Sequence, residues 1–158
     1  MPFGLALLAC QNEPPSPQYE SAMSTDYTLL RQTPSVQTYR HLRQQAGLSD
    51  KSDTAAARGL RQTLFAVQLL QGEEVVGMGR VIGDDGCFYQ VVDIAVLPAH
   101  QGRGLGKRIM TALCEWLHAR APRTAYVSLI ADGEAHRLYA QFGFQPTAPA
   151  SIGMALKL

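Results

Sequence analysis

The spacing of apolar residues divides the chain into segments with two different periods. Residues 27–32, "YTLLRQ", have the make-up of a first strand. Past Pro34, the residues Val36, Tyr39, Leu42 and Ala46 recur three or four positions apart, as on one face of a helix, and Gly47 supplies a stop. A second, shorter helix is expected over residues 54–60. Three extended runs follow at 64–70, 74–82 and 87–96. "GDDG" at 83–86 has the chemistry of a tight hairpin turn between the last two, and Gly72 with Glu73 serves the earlier one. These runs should form an antiparallel meander.

From residue 104 to 119 the helical period returns, with Leu105, Ile109, Ala112, Leu113, Trp116 and Leu117 on one face and Pro122 beyond its end. "TAYVSLIA" at 124–131 is strongly β-prone. Ala135, Leu138 and Phe142 mark the buried stripe of a last helix closed by Gly143, and "GMALKL" at 153–158 offers a final strand. The resulting order is mixed: a strand, a helical pair, a meander, then β–α–β–α–β.

Composition limits how this order is used. At 158 residues, 46 % hydrophobic and 17 % charged, the chain can bury one core, so a single domain over 25–158 is expected. Residues 1–24 read as a leader or extension: Pro14, Pro15 and Pro17 interrupt a polar stretch, and Met23 is an alternative start. Fourteen Lys and Arg against 13 Asp and Glu give no global field for nucleic acid or a membrane surface, and no run has the length of a membrane span. Cys10, Cys87 and Cys114 are odd in number and far apart, which suits a reducing cytoplasm. A lipoprotein reading of "LLAC" at Cys10 lacks the preceding Lys or Arg that such a signal requires. The four histidines show no metal-ligand spacing, so no metal is expected.

The chemistry concentrates in "PAHQGRGLGKRIM", residues 98–110. Gly102, Gly104 and Gly106 alternate through a strand-to-helix turn, where backbone N–H groups and the helix end converge on an anion; phosphate is the natural guest. Arg103 and Lys107 would add charge at the rim, and Gln101 a side-chain hydrogen bond. Two other phosphate loops do not fit. Counted from Gly102, Lys107 stands where a dinucleotide fingerprint needs its third glycine. Gln101 and Arg108 occupy the first glycine and the hydroxyl position of a nucleoside-triphosphate loop. A plain turn without a ligand is the remaining alternative.

"VVDIAVLPAHQGRGLGKRIM" resembles the acetyl-CoA-binding motif of the GCN5-related N-acetyltransferase (GNAT) superfamily, whose pattern of Gln or Arg, two residues, Gly, one residue, then Gly or Ala is met by Gln101, Gly104 and Gly106. "DGEAHRLYAQFGF" at 132–144 is similar to a second block of that family. The resemblance runs from about residue 25 to the C-terminus. It implies an α/β fold of mixed α+β type: a central, mostly antiparallel, twisted sheet, splayed at one strand and flanked by helices. It further implies that Ile94, Ala95 and Val96 bind the pantetheine arm of coenzyme A through main-chain groups. The pyrophosphate would rest on the loop of Gln101, Gly102, Arg103, Gly104, Leu105, Gly106 and Lys107.

Acetyl transfer to an amine needs an unprotonated nucleophile, a donor for the thioester oxygen and a proton for the departing thiolate. A backbone N–H near Ala95 or Val96 could serve the oxygen. Tyr139 matches the tyrosine that usually acts as general acid in the family. Asp132 stands where the family usually carries Asn; a carboxylate can cap a helix but cannot donate, which puts its contact with coenzyme A in question. Asp93, a carboxylate in an apolar strand, is either the general base or a structural anchor for a neighbouring backbone or Arg80. Strand alternation would set it with Val91 and Ala95, opposite Val92 and Ile94.

Tyr89 and Gln90 could line the acceptor pocket. Tyr39, Phe65, Phe88 and Tyr89 would either suit an aromatic amine or pack in the core. Cys87 and Cys114 read as packing residues, and direct transfer is favoured over an acetyl-cysteine. The expected activity is thus acetyl-CoA-dependent acetylation of a primary amine on a small molecule or peptide. The alternative is a non-catalytic acyl-CoA-binding or sensor module. The amine is unspecified, and a homodimer is in keeping with the resemblance.

Overall fold

The computed structural model describes residues 26–156. The expectations for the leader, Met23, Cys10 and the last two residues lie outside this range. In chain order the elements are β1 (Tyr27–Leu30), α1 (Val36–Gln45), α2 (Asp53–Leu60), β2 (Phe65–Gln71), β3 (Glu74–Gly83), β4 (Phe88–Val96), α3 (Leu105–Arg120), β5 (Tyr126–Leu129) and α4 (His136–Ala140). Single 3₁₀ turns precede α3, at Pro98–His100, and α4, at Gly133–Ala135. The five strands form one sheet in sequence order. β1 to β4 are antiparallel neighbours, and β5 joins β4 in parallel. A parallel neighbour needs a crossover, which α3 provides.

Local chemistry explains the boundaries. Ser35 and Ser52 cap α1 and α2, each accepting an amide three residues on, Thr38 and Ala55, at 3.1 Å. In the β3–β4 turn, one carboxylate oxygen of Asp84 accepts the amides of Gly86, Cys87 and Phe88 at 2.8–2.9 Å.

Helices cover both faces of the sheet. α3 packs on β2, β3 and β4, while α1 packs on β3 and β4. Adjacent residues of β3 point to opposite faces. Gly79 faces α3, and the next residue, Arg80, reaches the α1 side. The core between α3 and the sheet includes Val67, Leu69, Val81, Ile109 and Leu113, all fully buried. At Gly79 the approach leaves no room for a side chain, since a Cβ there would stand 2.4 Å from Ile109 and 2.7 Å from Ile94.

Two expectations require correction. Residues 153–156 form no strand, and Ile152, Met154 and Leu156 stay 73–90 % exposed. Their alternation is real, but Pro146 and Pro149 precede it, and a strand with no partner is not stable. The last helix is regular only over five residues. The amides of Gln141, Phe142 and Gly143 bond carbonyls three positions back, tightening the turn so that Phe142 falls beyond the helix. Its most buried member is Tyr139, while Ala135, Leu138 and Phe142 of the expected stripe lie half-buried against the core.

Replacing Gly79 by Ala should therefore lower the unfolding free energy by about 1–3 kcal/mol through overpacking. Urea unfolding of the two proteins measures this, and an unchanged midpoint would contradict the packing described.

Candidate active site

The β4–β5 ladder comprises Phe88↔Tyr126, Tyr89↔Val127, Gln90↔Ser128 and Val91↔Leu129. Beyond Val91 the outer edge of β4 has no strand partner among the described residues. On its other edge β4 remains joined to β3, but irregularly. Val92 pairs with Arg80 and Ala95 with Met78, so Asp93 and Ile94 together oppose the single residue Gly79. This is a β-bulge, which bends a strand and increases its twist. Asp93 takes a left-handed backbone, φ 58°. For a residue other than glycine that conformation costs about 1–3 kcal/mol and persists where its surroundings fix it. The strict alternation expected around Asp93 is therefore broken.

Those surroundings are a buried ionic cluster. The Asp93 side chain is 6 % exposed and those of Arg43 and Arg80 are 8 % exposed. One carboxylate oxygen accepts from Arg43 Nη1 and from the Tyr39 hydroxyl at 3.3 Å. The other accepts Arg80 Nε at 2.7 Å and Nη2 at 2.6 Å. Four donors thus meet a group with about four lone-pair sites. The arginines are themselves tied down: Arg43 donates to the Ser49 carbonyl at 2.8 Å and hydroxyl at 2.9 Å, and Arg80 to the Thr63 hydroxyl at 2.6 Å. Burial, followed by the Asp93 charge, raises the Tyr39 phenol above the ordinary tyrosine value and keeps it a donor.

The glycine loop begins where β4 ends. Gly102 and Gly104 are left-handed, φ 74° and 75°, and Gly104 caps α3 without a side chain. The amides of residues 102–107 make no hydrogen bond among the described residues, the first helical bond running from Arg108 N to Gly104 O at 3.1 Å. A row of free N–H groups at the positive end of a 16-residue helix suits an anion. Gln101, though exposed, donates from Nε2 to the Val96 carbonyl at 2.9 Å, so it fastens the loop to the strand end. Arg103 and Lys107 are exposed, and the Lys107 ammonium has no partner among the described residues.

Gly106 connects the loop to α4. A Cβ there would stand 3.2 Å from Leu138, the residue before Tyr139. Tyr139 is 9 % exposed and lines a cleft of about 840 Å³ bounded by β5, α4 and the segment after it, with Gln90, Ser128 and His136 also on its wall. Burial, then the Asp132 charge, raises the Tyr139 phenol above the ordinary value. Asp132 holds the N-cap position of the 3₁₀ turn but makes no side-chain capping bond, so the expected cap is not formed. A smaller cleft of about 410 Å³, under the C-terminal half of α3, contains none of the site residues expected from sequence.

The remaining candidates are dispersed. Tyr89 is 1 % exposed, Phe65 stacks on Trp116 at 5.2 Å, Phe88 meets Tyr126 at the sheet's edge, and Tyr39 belongs to the Asp93 cluster, so the four form no common pocket. Cys114 is buried, and burial pushes its thiol up, away from nucleophilic thiolate. Among the described residues no group of three His, Cys, Asp or Glu is placed to hold a metal ion, and no helix is long and apolar enough to cross a membrane. Sequence reasoning missed Arg43. Its signal was a charge at the position that, with Tyr39 and Leu42, completes an apolar helical face.

Comparison with known proteins bears on the family and the fold. The family model described as "Acetyltransferase (GNAT) domain" matches residues 61–146. A Staphylococcus aureus structure described as a probable acetyltransferase superposes with a TM-score of 0.81 at 43 % identity, covering 84 % of this chain and 100 % of that one. A GNAT-family acetyltransferase from Streptococcus pneumoniae gives a TM-score of 0.68 at 25 % identity, covering 84 % and 98 %. The GCN5-related N-acetyltransferase 2 of Arabidopsis thaliana chloroplasts is 31 % identical over 84 residues, 53 % of this chain and 32 % of that protein; the chain spans less than half of that relative. The chain belongs to the GNAT acetyltransferase family.

Removing the negative charge in Asp132→Asn should lower the pH at which Tyr139 ionises, while burial still holds it above an ordinary tyrosine. Titration of ¹³C-labelled tyrosine by NMR reads this directly. An unchanged or raised Tyr139 midpoint would contradict the assigned cause.

Proposed function

We propose that the protein transfers an acetyl group from acetyl-CoA directly to a primary amine of a small molecule or peptide. The observation that carries this reading is the meeting of an unpartnered β4 edge, a glycine loop with free amides at the head of α3, and a buried tyrosine one residue from the helix contact at Gly106. The fit to a CoA thioester is chemical: an extended amide-containing arm suits an open strand edge at Ile94, Ala95 and Val96, and a diphosphate suits the amides of 102–107 with Lys107 and Arg103 at the rim. Gln101 and Leu105 hold the loop and the first helical turn in place.

In the transfer the amine nitrogen forms a bond to the acetyl carbon, the C–S bond breaks, the amine releases a proton to water and the departing sulfur takes one. An amine has a pKa of about 10, so its deprotonation precedes attack at neutral pH. Tyr139 supplies the proton to sulfur, and its raised pKa keeps that proton in place through neutral and mildly alkaline pH. A main-chain N–H near Ala95 or Val96 receives the developing charge on oxygen. Asp93 has its acceptor sites filled by Arg43, Arg80 and Tyr39, so we assign it to holding the strand and not to proton abstraction. The amine enters by the cleft lined by Gln90, Ser128 and Tyr139. A cytoplasmic location would place the protein with its cosubstrate.

A thiol-release screen with acetyl-CoA over several amine classes should find at least one acceptor, and Tyr139→Phe should lower kcat on it by about a hundredfold or more while acetyl-CoA affinity is kept. Unchanged kcat across the pH range would remove Tyr139 as the acid. Tight acetyl-CoA binding with no transfer to any amine would favour a sensor instead.

A further inference from the structure

The Asp93 cluster lies outside the loop and the cleft, yet it sits at the point where β4 leaves β5. Its position is specific. The last shared pair is Val91↔Leu129, the bulge follows at Asp93 and Ile94, and the strand then runs on through Ala95 and Val96 to the glycine loop. A carboxylate placed anywhere along β4 could hold α1 against the sheet. Here the clamped residue is the one residue of β4 with a left-handed backbone. The clamp also draws on several elements at once: Arg43 from α1, fixed to Ser49, and Arg80 from β3, fixed to Thr63. Both guanidinium groups lie against the Tyr39 ring, at 5.6 and 5.2 Å from its centre, which limits their movement.

We propose that Arg43 and Arg80 are positioning residues for the cosubstrate: by gripping Asp93 they fix the bulge that turns residues 94–96 away from β5 and presents their backbone to acetyl-CoA. This rests on the acetyl-CoA reading above. Asp93 acts through the strand and touches no reacting atom. The helical pair α1–α2 is thereby coupled to the strand that receives the thioester, so changes in it act on cosubstrate affinity.

The test measures acetyl-CoA affinity by calorimetry and steady-state kcat and KM for Asp93→Asn, Arg43→Gln, Arg43→Lys and the double variant Asp93→Asn with Arg43→Gln. Each single neutral variant should weaken acetyl-CoA binding about tenfold, roughly 1.4 kcal/mol. The double should lose little more than either single, because both break one clamp. Arg43→Lys should recover part of the loss. Leu117→Val, a core change at the far end of α3, should lower stability without altering affinity, separating positioning from general loosening.

Should Asp93→Asn fail to fold, Arg43→Gln and Arg43→Lys carry the same comparison, since Asp93 keeps Arg80 as its partner in both. Wild-type affinity in these variants would overturn the proposal. So would unaltered affinity combined with loss of kcat in Asp93→Asn alone, the signature of a base. If the wild-type protein itself bound no acetyl-CoA, the functional reading would fall instead.

Discussion

Four residue pairs hold β5 to β4, the last of them Val91↔Leu129, and a bulge in β4 follows at Asp93 and Ile94. That bulge exists through two opposed constraints. On one face α3 presses so closely on Gly79 that only a residue without a side chain fits beneath Ile109 and Ile94. On the other, Arg43 and Arg80 grip the Asp93 carboxylate and hold its backbone left-handed. A buried ion pair of this kind is a poor source of net stability compared with apolar packing, and losing one partner costs about 3–5 kcal/mol. Its value lies in shape. On the proposal above, it selects one path for the strand and presents residues 94–96 at its open edge.

The charge of the protein acts in the same local manner. A formal net charge of +1 sets up no long-range attraction for a polyanionic ligand. On the function proposed above, attraction would come instead from the amides at residues 102–107, the dipole of α3 and Lys107, whose ammonium has no partner among the described residues. Gln101 contributes by bonding the Val96 carbonyl, which joins the loop to the end of the open strand. Gly106 lets α3 lie against Leu138 and so sets the distance between the loop and Tyr139. The open strand, the loop and Tyr139 are thus joined by short contacts between neighbouring elements.

Much of this was legible from the chain. The three- and four-residue spacing of Leu105, Ile109, Leu113 and Leu117 marks α3 because all four are core residues on one face. The Gly–Asp turn at 83–86 fixes the β3–β4 hairpin. The alternate glycines at 102 and 104 announce a left-handed loop. The bulge was not legible, since its cause is tertiary: it depends on Gly79 meeting a helix 30 residues further along and on Asp93 meeting an arginine from α1. Asp93 could be recognised as a charge out of place, but whether it served chemistry or shape turned on Arg43. The strand expected at the C-terminus failed for a related reason. Alternation records which side of a strand would be apolar, and Ile152, Met154 and Leu156 have no sheet surface to meet.

The central claim is that the outer edge of β4 beyond Val91 is open in the free protein and is occupied by acetyl-CoA. Amide hydrogen exchange, followed by mass spectrometry with and without acetyl-CoA, addresses it most directly. The account predicts that peptides covering residues 92–97 exchange faster than those covering 88–91 in the free protein, and that acetyl-CoA slows exchange there and at 102–107 together. Protection confined to other parts of the chain, with both of these segments unchanged at saturating acetyl-CoA, would contradict it.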